Sequence, residues 1–255
     1  MEVDLHAKVA IVTGAGKPRG IGATYARALA GQGAAVACAD LDGDGAEQVA
    51  STIRSSGARA LGCEVDITDP ASVQSMMERV AGELGGIDIL VNNAALMVDM
   101  SMDPIHRYDH DEWRRVLDVN VTGAFNTCRA VVPFMTERGG GKIVNQSSGG
   151  AFPPQGVYGV TKLALVALTV ALAGELGPLN INVNAIAPGH VRSEAGLSIA
   201  PEGSMAYEMI TQAAPLGGSR EPEALVGALL LLVSCDGDWI TGQTMNVDGG
   251  WVKRV

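Results

Sequence analysis

The sequence predicts an α/β protein: one doubly wound, mostly parallel sheet of about seven strands with helices on both faces. Two observations carry that expectation and a third locates the chemistry. Short β-branched runs alternate with helical stretches along the chain, beginning with Lys8–Thr13 and Ala23–Gly31. That alternation is the mark of parallel strands joined by crossover helices. The first strand runs straight into a glycine-rich turn, Gly14-Ala15-Gly16-Lys17-Pro18-Arg19-Gly20-Ile21-Gly22, which opens the first helix. Far along the chain, Tyr158-Gly159-Val160-Thr161-Lys162 leads into an almost wholly apolar run, Leu163 to Ala173.

In chain order, Lys8–Thr13 reads as a buried parallel strand because it is a short, continuous apolar run. The glycines after it let backbone N–H groups approach a phosphate at the positive end of the helix. Ala35–Ala39 is the second strand, closing on Asp40. An acidic residue about 20 positions beyond such a turn can hold the ribose 2′-hydroxyl of NAD and repel the extra phosphate of NADP. Arg19, inside the glycine turn, points the other way.

Ala46–Ser55 reads as helix, Ala58–Val65 as strand, and Asp66-Ile67-Thr68-Asp69-Pro70 as a capped turn. Ala71–Leu84 is helical, with Val73, Met76, Met77, Val80 and Leu84 forming its apolar stripe. Ile87–Val91 is a further strand, ended by Asn92-Asn93-Ala94-Ala95. Asp109 and Glu112 have capping-box spacing, and one long helix is expected from Trp113 to about Glu137. Asn120 lies inside that helix, where an amide competes for backbone bonds; it is either a surface amide or there to bond something.

Lys142–Asn145 is a strand followed by Gln146-Ser147-Ser148, which sets hydroxyls at the carboxyl end where open α/β sheets bind ligands. A helix is expected over Tyr158–Leu176, then a strand over Ile181–Ala187 ending at Pro188-Gly189. His190 to Arg220 loses periodicity and reads as a binding loop or lid. Glu223–Val233 is an apolar helix, and Gln243–Val247 closes the sheet before Asp248-Gly249-Gly250. No repeat, linker or low-complexity segment divides the 255 residues, so one domain is expected.

Composition narrows the function. A net charge of −10 argues against nucleic acid and anionic membrane surfaces, which need cationic partners. The acidic N-terminus, Met1-Glu2-Val3-Asp4, lacks the pattern of a signal peptide, and no charge-free apolar run reaches the length of a membrane span. Cys38, Cys63, Cys128 and Cys235 show no paired spacing and are expected as free thiols in the cytoplasm. His106 and His110 lack the glutamate of a His-Glu-x-x-His site, and no metal is expected.

The chemistry is expected at Tyr158 and Lys162. Four residues apart on a helix, they share a face. An ammonium beside a phenol stabilises the phenolate and lowers its pKa from about 10, which would tune Tyr158 as an acid–base group. The helix is apolar nearly all round, which implies a partner subunit.

With these pieces in place, the chain from about Lys8 to Gly250 resembles the short-chain dehydrogenase/reductase family. The resemblance rests on Thr13, Gly14, Gly20, Ile21 and Gly22, on Asp66, on Asn92-Asn93-Ala94, on Asn120 and Ser148, on Tyr158 and Lys162, and on Asn184, Pro188-Gly189 and Asp248-Gly249-Gly250. It implies a Rossmann-type fold and hydride transfer with a nicotinamide cofactor. In it, Tyr158 exchanges the proton and Ser148 binds the substrate oxygen. Lys162 lowers the Tyr158 pKa and holds the ribose, and Asn120 supports a proton-relay water. The cofactor contacts it implies are Gly14, Arg19, Gly20, Ile21, Gly22, Asp40, Asp66, Ile67, Asn93, Ala94, Tyr158, Lys162, Pro188, Gly189, Val191 and Ser193. It also suggests a homotetramer. Two features depart from the family: the glycine turn holds five residues between Gly14 and Gly20 rather than three, and the loop from Ser148 to Tyr158 is short.

Three functions follow as alternatives. The first is an NAD-dependent dehydrogenase of a small hydrophobic secondary alcohol, or reductase of its ketone, with NADP the less favoured cofactor. The second is a reductase of 3-oxoacyl groups on acyl-carrier protein or coenzyme A. The third is a non-catalytic dinucleotide-sensing scaffold on the same fold. The substrate pocket is expected from Met97, Val98, Phe152, Pro153, Pro154, His190 and Leu197–Met209. Ala195 to Ala214 carries no lysine or arginine, which leaves Arg192 as the nearby cation.

Overall fold

A computed structural model describes residues 3–98, 100–101 and 103–253. Met1 and Glu2, which begin the acidic N-terminal stretch, lie outside the described residues. Seven parallel strands form one sheet: β1 (Val9–Thr13), β2 (Ala35–Asp40), β3 (Ala60–Glu64), β4 (Ile89–Asn92), β5 (Gly141–Gln146), β6 (Ile181–Pro188) and β7 (Thr244–Val247). Their spatial order is β3-β2-β1-β4-β5-β6-β7. The order reverses between β1 and β4, and such a switch point opens a crevice at the strands' carboxyl ends.

The helices are α1 (Ile21–Gly31), α2 (Gly43–Ser55), α3 (Pro70–Leu84), α4 (His110–Leu117), α5 (Gly123–Glu137), α6 (Gly156–Leu176), α7 (Glu194–Ile199), α8 (Met205–Ala213) and α9 (Val226–Val233). One core layer packs α1, α2 and α9 on the sheet, through Tyr25, Leu29, Val49, Ile53, Leu229 and Leu232. The other packs α3, α5 and α6 on the opposite face, through Val73, Met77, Val80, Val131, Met135 and Ala173. Strands covered on both faces must be apolar throughout, and β1 is buried at all five residues.

Three expectations change. The single helix over Trp113–Glu137 is two, α4 and α5, joined by a π turn at Asp118–Thr122. The turn lies at Asn120, whose side chain is 1% exposed. Its Oδ1 accepts from the Leu96 N–H at 2.7 Å, and its Nδ2 donates to Leu96 O at 3.0 Å and Thr161 Oγ1 at 3.1 Å. A widened turn is a recurrent way to seat a functional side chain. Asn120 is therefore an internal brace and not a surface amide.

The segment from His190 to Arg220 is the second correction, because it holds α7 and α8. Ser193 and Ser204 cap them by accepting from Gly196 N–H and Tyr207 N–H. Both helices are too short for apolar periodicity to register in the sequence.

The third concerns α6, which begins at Gly156, two residues before Tyr158. From Gly156 to Leu179 the chain is long and apolar enough to cross a membrane by length and composition, with mean hydropathy 1.8. Its place in the fold is against the sheet. Val157, Thr161, Leu165, Thr169 and Ala173 are buried at four-residue intervals, and Asn145 Nδ2 donates to Thr169 Oγ1 at 2.9 Å. The sheet occupies one face and leaves Leu163 and Val170 exposed on another.

Candidate active site

At the switch point the two strand ends are tied together. Thr13 Oγ1 accepts the N–H groups of Asn93 and Ala94, each at 3.1 Å, while Asn93 Nδ2 donates to the carbonyls of Thr13 and Gly14 at 3.0 Å. Gly14 has φ +67°, and a Cβ there would lie 2.7 Å from Ala94 Cα. No other residue fits that approach. A second set of buried amides runs beneath: Asn92 Nδ2 donates to Asn145 Oδ1 at 2.9 Å, and Thr127 Oγ1 donates to Asn92 Oδ1 at 2.6 Å. Such saturated networks hold the strand ends in one register.

A cavity of about 930 Å³ opens above this junction. Gly14, Gly20, Ile21, Asp40, Asp66, Ile67, Asn93, Ala94, Ser148, Tyr158, Lys162, Pro188, Gly189, Val191 and Ser193 all line it. The sequence expectation assigned every one of them to the site. Three other assigned residues are not in the lining. Gly22 is buried beneath the turn, where a Cβ would collide with the Gly14 carbonyl. Arg19 is exposed on the outside of the turn; Lys17 lines the cavity in its place, 3.7 Å from Asp42. Asn120 bonds Leu96 and Thr161 through its side chain and is not in the lining.

The lengthened glycine turn is tied to the end of β2 through Asp40. Gly16 N–H donates to Asp40 Oδ2 at 2.7 Å, and Asp42 N–H to Asp40 Oδ1 at 3.1 Å. Asp40 is thereby fixed at the end of β2, and a carboxylate so bound keeps lone pairs for a further donor.

On the other side of β4, Ser148 and Tyr158 are hydrogen-bonded through their side chains. Gly150 N–H donates to Ser148 Oγ at 3.1 Å, and the serine hydroxyl is the donor that favours the Tyr158 phenolate. Lys162 is 1% exposed. Its ammonium donates to the Gln146 carbonyl at 2.8 Å and sits 5.5 Å from the centre of the Tyr158 ring. Burial pulls its pKa down to about 7.

Burial also raises the pKa of Tyr158 above its ordinary value, and the Ser148 hydrogen bond opposes that only in part. This corrects the expected lowering. Loss of solvent penalises the phenolate more than its neighbours stabilise it, and Lys162 bears the same penalty itself. Tyr158 therefore holds its proton at neutral pH in the protein alone, as a donor to a ketone oxygen would.

The sequence missed part of the remaining wall. Leu96, Met97, Met100, Ile105, Val157, Ile199, Ile210 and Trp251 line it. Of the expected pocket residues, Met97, His190 and Ile199 are present. Val98, Phe152, Pro153, Pro154 and the rest of Leu197–Met209 are not in the lining, where Gln155 and Gly156 stand instead. Nothing in the sequence near Trp251 announced it.

The comparisons with known proteins converge on one family. The family model described as enoyl-(acyl carrier protein) reductase matches residues 14–252. An uncharacterised oxidoreductase of Mycobacterium tuberculosis is 44% identical over 247 residues, covering 97% of this chain and 98% of the relative. The crystal structure of a short-chain type dehydrogenase/reductase from Mycobacterium marinum superposes with TM-score 0.87 at 36% identity, covering 98% of this chain and 97% of that one. The chain belongs to the short-chain dehydrogenase/reductase family. A gluconate 5-dehydrogenase from Burkholderia cenocepacia, crystallised with NADP and tartrate, has TM-score 0.91 at 32% identity, covering 99% of this chain and 98% of that one.

As an oxidoreductase of this family the protein binds a nicotinamide dinucleotide, and the site fits one. The turn at Gly14 leaves no room for a side chain, the Asp40 carboxylate is fixed at the strand end, and the cavity runs on unbroken to Tyr158. Gly14, Gly20 and Ile21 would hold the pyrophosphate, Asp40 the adenosine ribose, and Lys162 the other ribose. The dinucleotide supplies the hydride acceptor or donor. The chain's own residues would bind the substrate oxygen through Ser148 and exchange its proton at Tyr158 Oη. Lys162, when protonated, would supply positive charge beside the phenol.

Proposed function

We propose that the protein is an NAD-dependent dehydrogenase that interconverts a small, uncharged, apolar secondary alcohol and its ketone. The observation that carries this is the position of Arg192. Its guanidinium is held by Glu221 at 2.7 Å and stands 3.9 Å from Glu202, outside the cavity lining. Among the described residues, Lys17 and Lys162 are the only lysines or arginines in that lining, and both stand with the cofactor turn or Tyr158. Asp103 and Glu194 are also in the lining. An anionic substrate would meet carboxylates and no spare cation, and uncompensated like charge costs affinity.

Asp40 supports NAD, because a fixed carboxylate at the ribose would repel a 2′-phosphate. A second reading, 3-oxoacyl-thioester reduction, is favoured by the description of the matching family model. Opposed to it is the net charge of −10, which suits an acidic carrier protein poorly. A non-catalytic scaffold would have no need of Ser148, Tyr158 and Lys162 together.

The deciding experiment follows nicotinamide absorbance with NAD and with NADP, on neutral cyclic and aryl secondary alcohols and on a 3-hydroxyacyl thioester. Higher kcat/KM on a neutral alcohol with NAD is expected. A clear preference for the thioester overturns the reading.

The four cysteines are free, three of them buried, which suits a reducing cytoplasm. The proposal extends to assembly. Phe125 on α5, with Leu163 and Val170 on α6, is 43%, 37% and 55% exposed, and two-fold pairing of these helices would cover them. Light scattering should give a tetramer mass at micromolar concentration, and Val170→Glu should yield a smaller species. A monomeric unmodified protein would refute this.

A further inference from the structure

Asp248-Gly249-Gly250 does not line the cavity, yet the turn is closely specified. The Asp248 carboxylate accepts the N–H groups of Gly250 at 2.9 Å and Val252 at 3.0 Å, and the Asn246 amide at 3.0 Å. Gly249 and Gly250 have φ +67° and +85°, values that a residue with a Cβ seldom holds. The turn seats against Gly189, where a Cβ would lie 2.8 Å from Asp248 Cα. Its effect is to reverse the chain after β7 and carry it back over the segment following Ser148.

Trp251 is the residue delivered there. A Cβ on Gly149 would lie 2.7 Å from its Cε3 and 2.8 Å from its Cζ3. Its indole thus rests directly on the backbone of Gly149, and it lines the cavity. Gly149 is itself fixed, because its N–H donates to the Pro188 carbonyl at 2.7 Å. The indole therefore stands one residue from the hydroxyl that receives the reacting oxygen, on a support that cannot retreat.

We propose that Trp251 is a specificity-determining residue, a fixed aromatic wall that favours cyclic alcohols and ketones over open-chain ones of equal carbon number. The inference rests on the reading of the substrate as neutral and apolar. A flat, rigid wall costs little entropy to pack against, and a ring has no internal rotations to give up there. An open chain must order several.

The test compares kcat/KM for cyclohexanol and 2-hexanol with NAD. The unmodified protein should favour cyclohexanol. Trp251→Leu, which keeps apolar bulk and removes the ring, should lower that ratio about tenfold, the scale on which apolar pockets discriminate. Trp251→Phe should keep most of it. An unchanged ratio, an equal loss on both alcohols, or an initial preference for 2-hexanol overturns the proposal.

Should the leucine variant fail to fold, a Trp113→Phe/Trp239→Phe protein leaves Trp251 as the only indole. Saturating cyclohexanone in the presence of NAD should then shift its emission, and no shift overturns the proposal. Turnover of a 3-hydroxyacyl thioester with neither neutral alcohol overturns the parent reading and this one together. Turnover of both neutral alcohols with a ratio insensitive to Trp251 overturns the wall alone.

Discussion

The junction of β1 and β4 and the segment from His190 to Leu216 line one cavity and are held in opposite ways. At the junction, backbone and short polar side chains close on one another, with Thr13, Gly14, Asn93 and Ala94 joined by four hydrogen bonds of 3.0–3.1 Å. Across the segment, Ile199 on α7, Met205 and Met209 on α8, and Leu216 beyond it are between 40% and 80% exposed. Its ties to the body include His190 Nδ1 to Ser219 Oγ at 2.9 Å, Arg192 to Glu221, and the Arg192 and Leu216 N–H groups to the carbonyls of Arg220 and Gly249 at 2.8 and 3.0 Å. The cofactor side is built from parts with one arrangement. The segment leaves several large apolar side chains exposed, and parts so placed open at lower free-energy cost. A family can keep the first while varying the second, and with it the substrate.

Four changes test that contrast. The largest effect is expected where the two sides meet. Tyr158→Phe removes the exchanging proton and should lower kcat by roughly 10²–10⁴-fold, while cofactor affinity, titrated by fluorescence, stays near its unmodified value. Near-full turnover would remove Tyr158 from the chemistry.

Lys162→Met should abolish turnover yet stabilise the protein measured without cofactor. With its pKa at about 7 against 10.5 for a free lysine, Lys162 is unprotonated in the folded chain between those values, while the unfolded chain still binds the proton. Stability therefore rises with pH through that window. The methionine variant should gain roughly 4 kcal/mol near neutral pH, at about 1.4 kcal/mol per pH unit of separation, and the gain should vanish toward pH 10.5. Urea melts across pH 7–10 measure it, and a variant less stable at pH 7 would contradict the account.

Asp40→Ser removes the fixed carboxylate and frees the Gly16 N–H. The preference for NAD over NADP should fall by about tenfold, which corresponds to about 1.4 kcal/mol. Kinetics with both cofactors decide it, and an unmodified protein indifferent between them defeats the role. The smallest effect is expected on the substrate side. Met205 is 80% exposed, so Met205→Ser should change stability by no more than about 0.5 kcal/mol. A larger loss in a thermal melt would mean the segment is packed more firmly than its exposure implies.

How much of this was legible differs between the same two regions. The strands, the glycine turn, Asp40, Ser148 and the Tyr158/Lys162 pair are contiguous in sequence or set by helical spacing. Local pattern therefore determined the sheet and brought the glycine turn, Asp40, Ser148 and the Tyr158/Lys162 pair to its carboxyl edge. Tertiary structure decided the rest, because those features depend on residues far apart in the chain. The π turn at Asn120 forms because an amide from the α4–α5 junction bonds Leu96, 24 residues earlier. Lys17 rather than Arg19 faces the cavity because of how the lengthened turn folds onto Asp40. Tyr158 has a raised pKa because burial, which no spacing rule reports, outweighs its neighbours. Trp251 reaches the cavity because two glycines at positive φ return the chain across Gly149, a hundred residues away in sequence. Periodicity records which face of a segment is buried; what that face meets is settled only when the sheet is assembled.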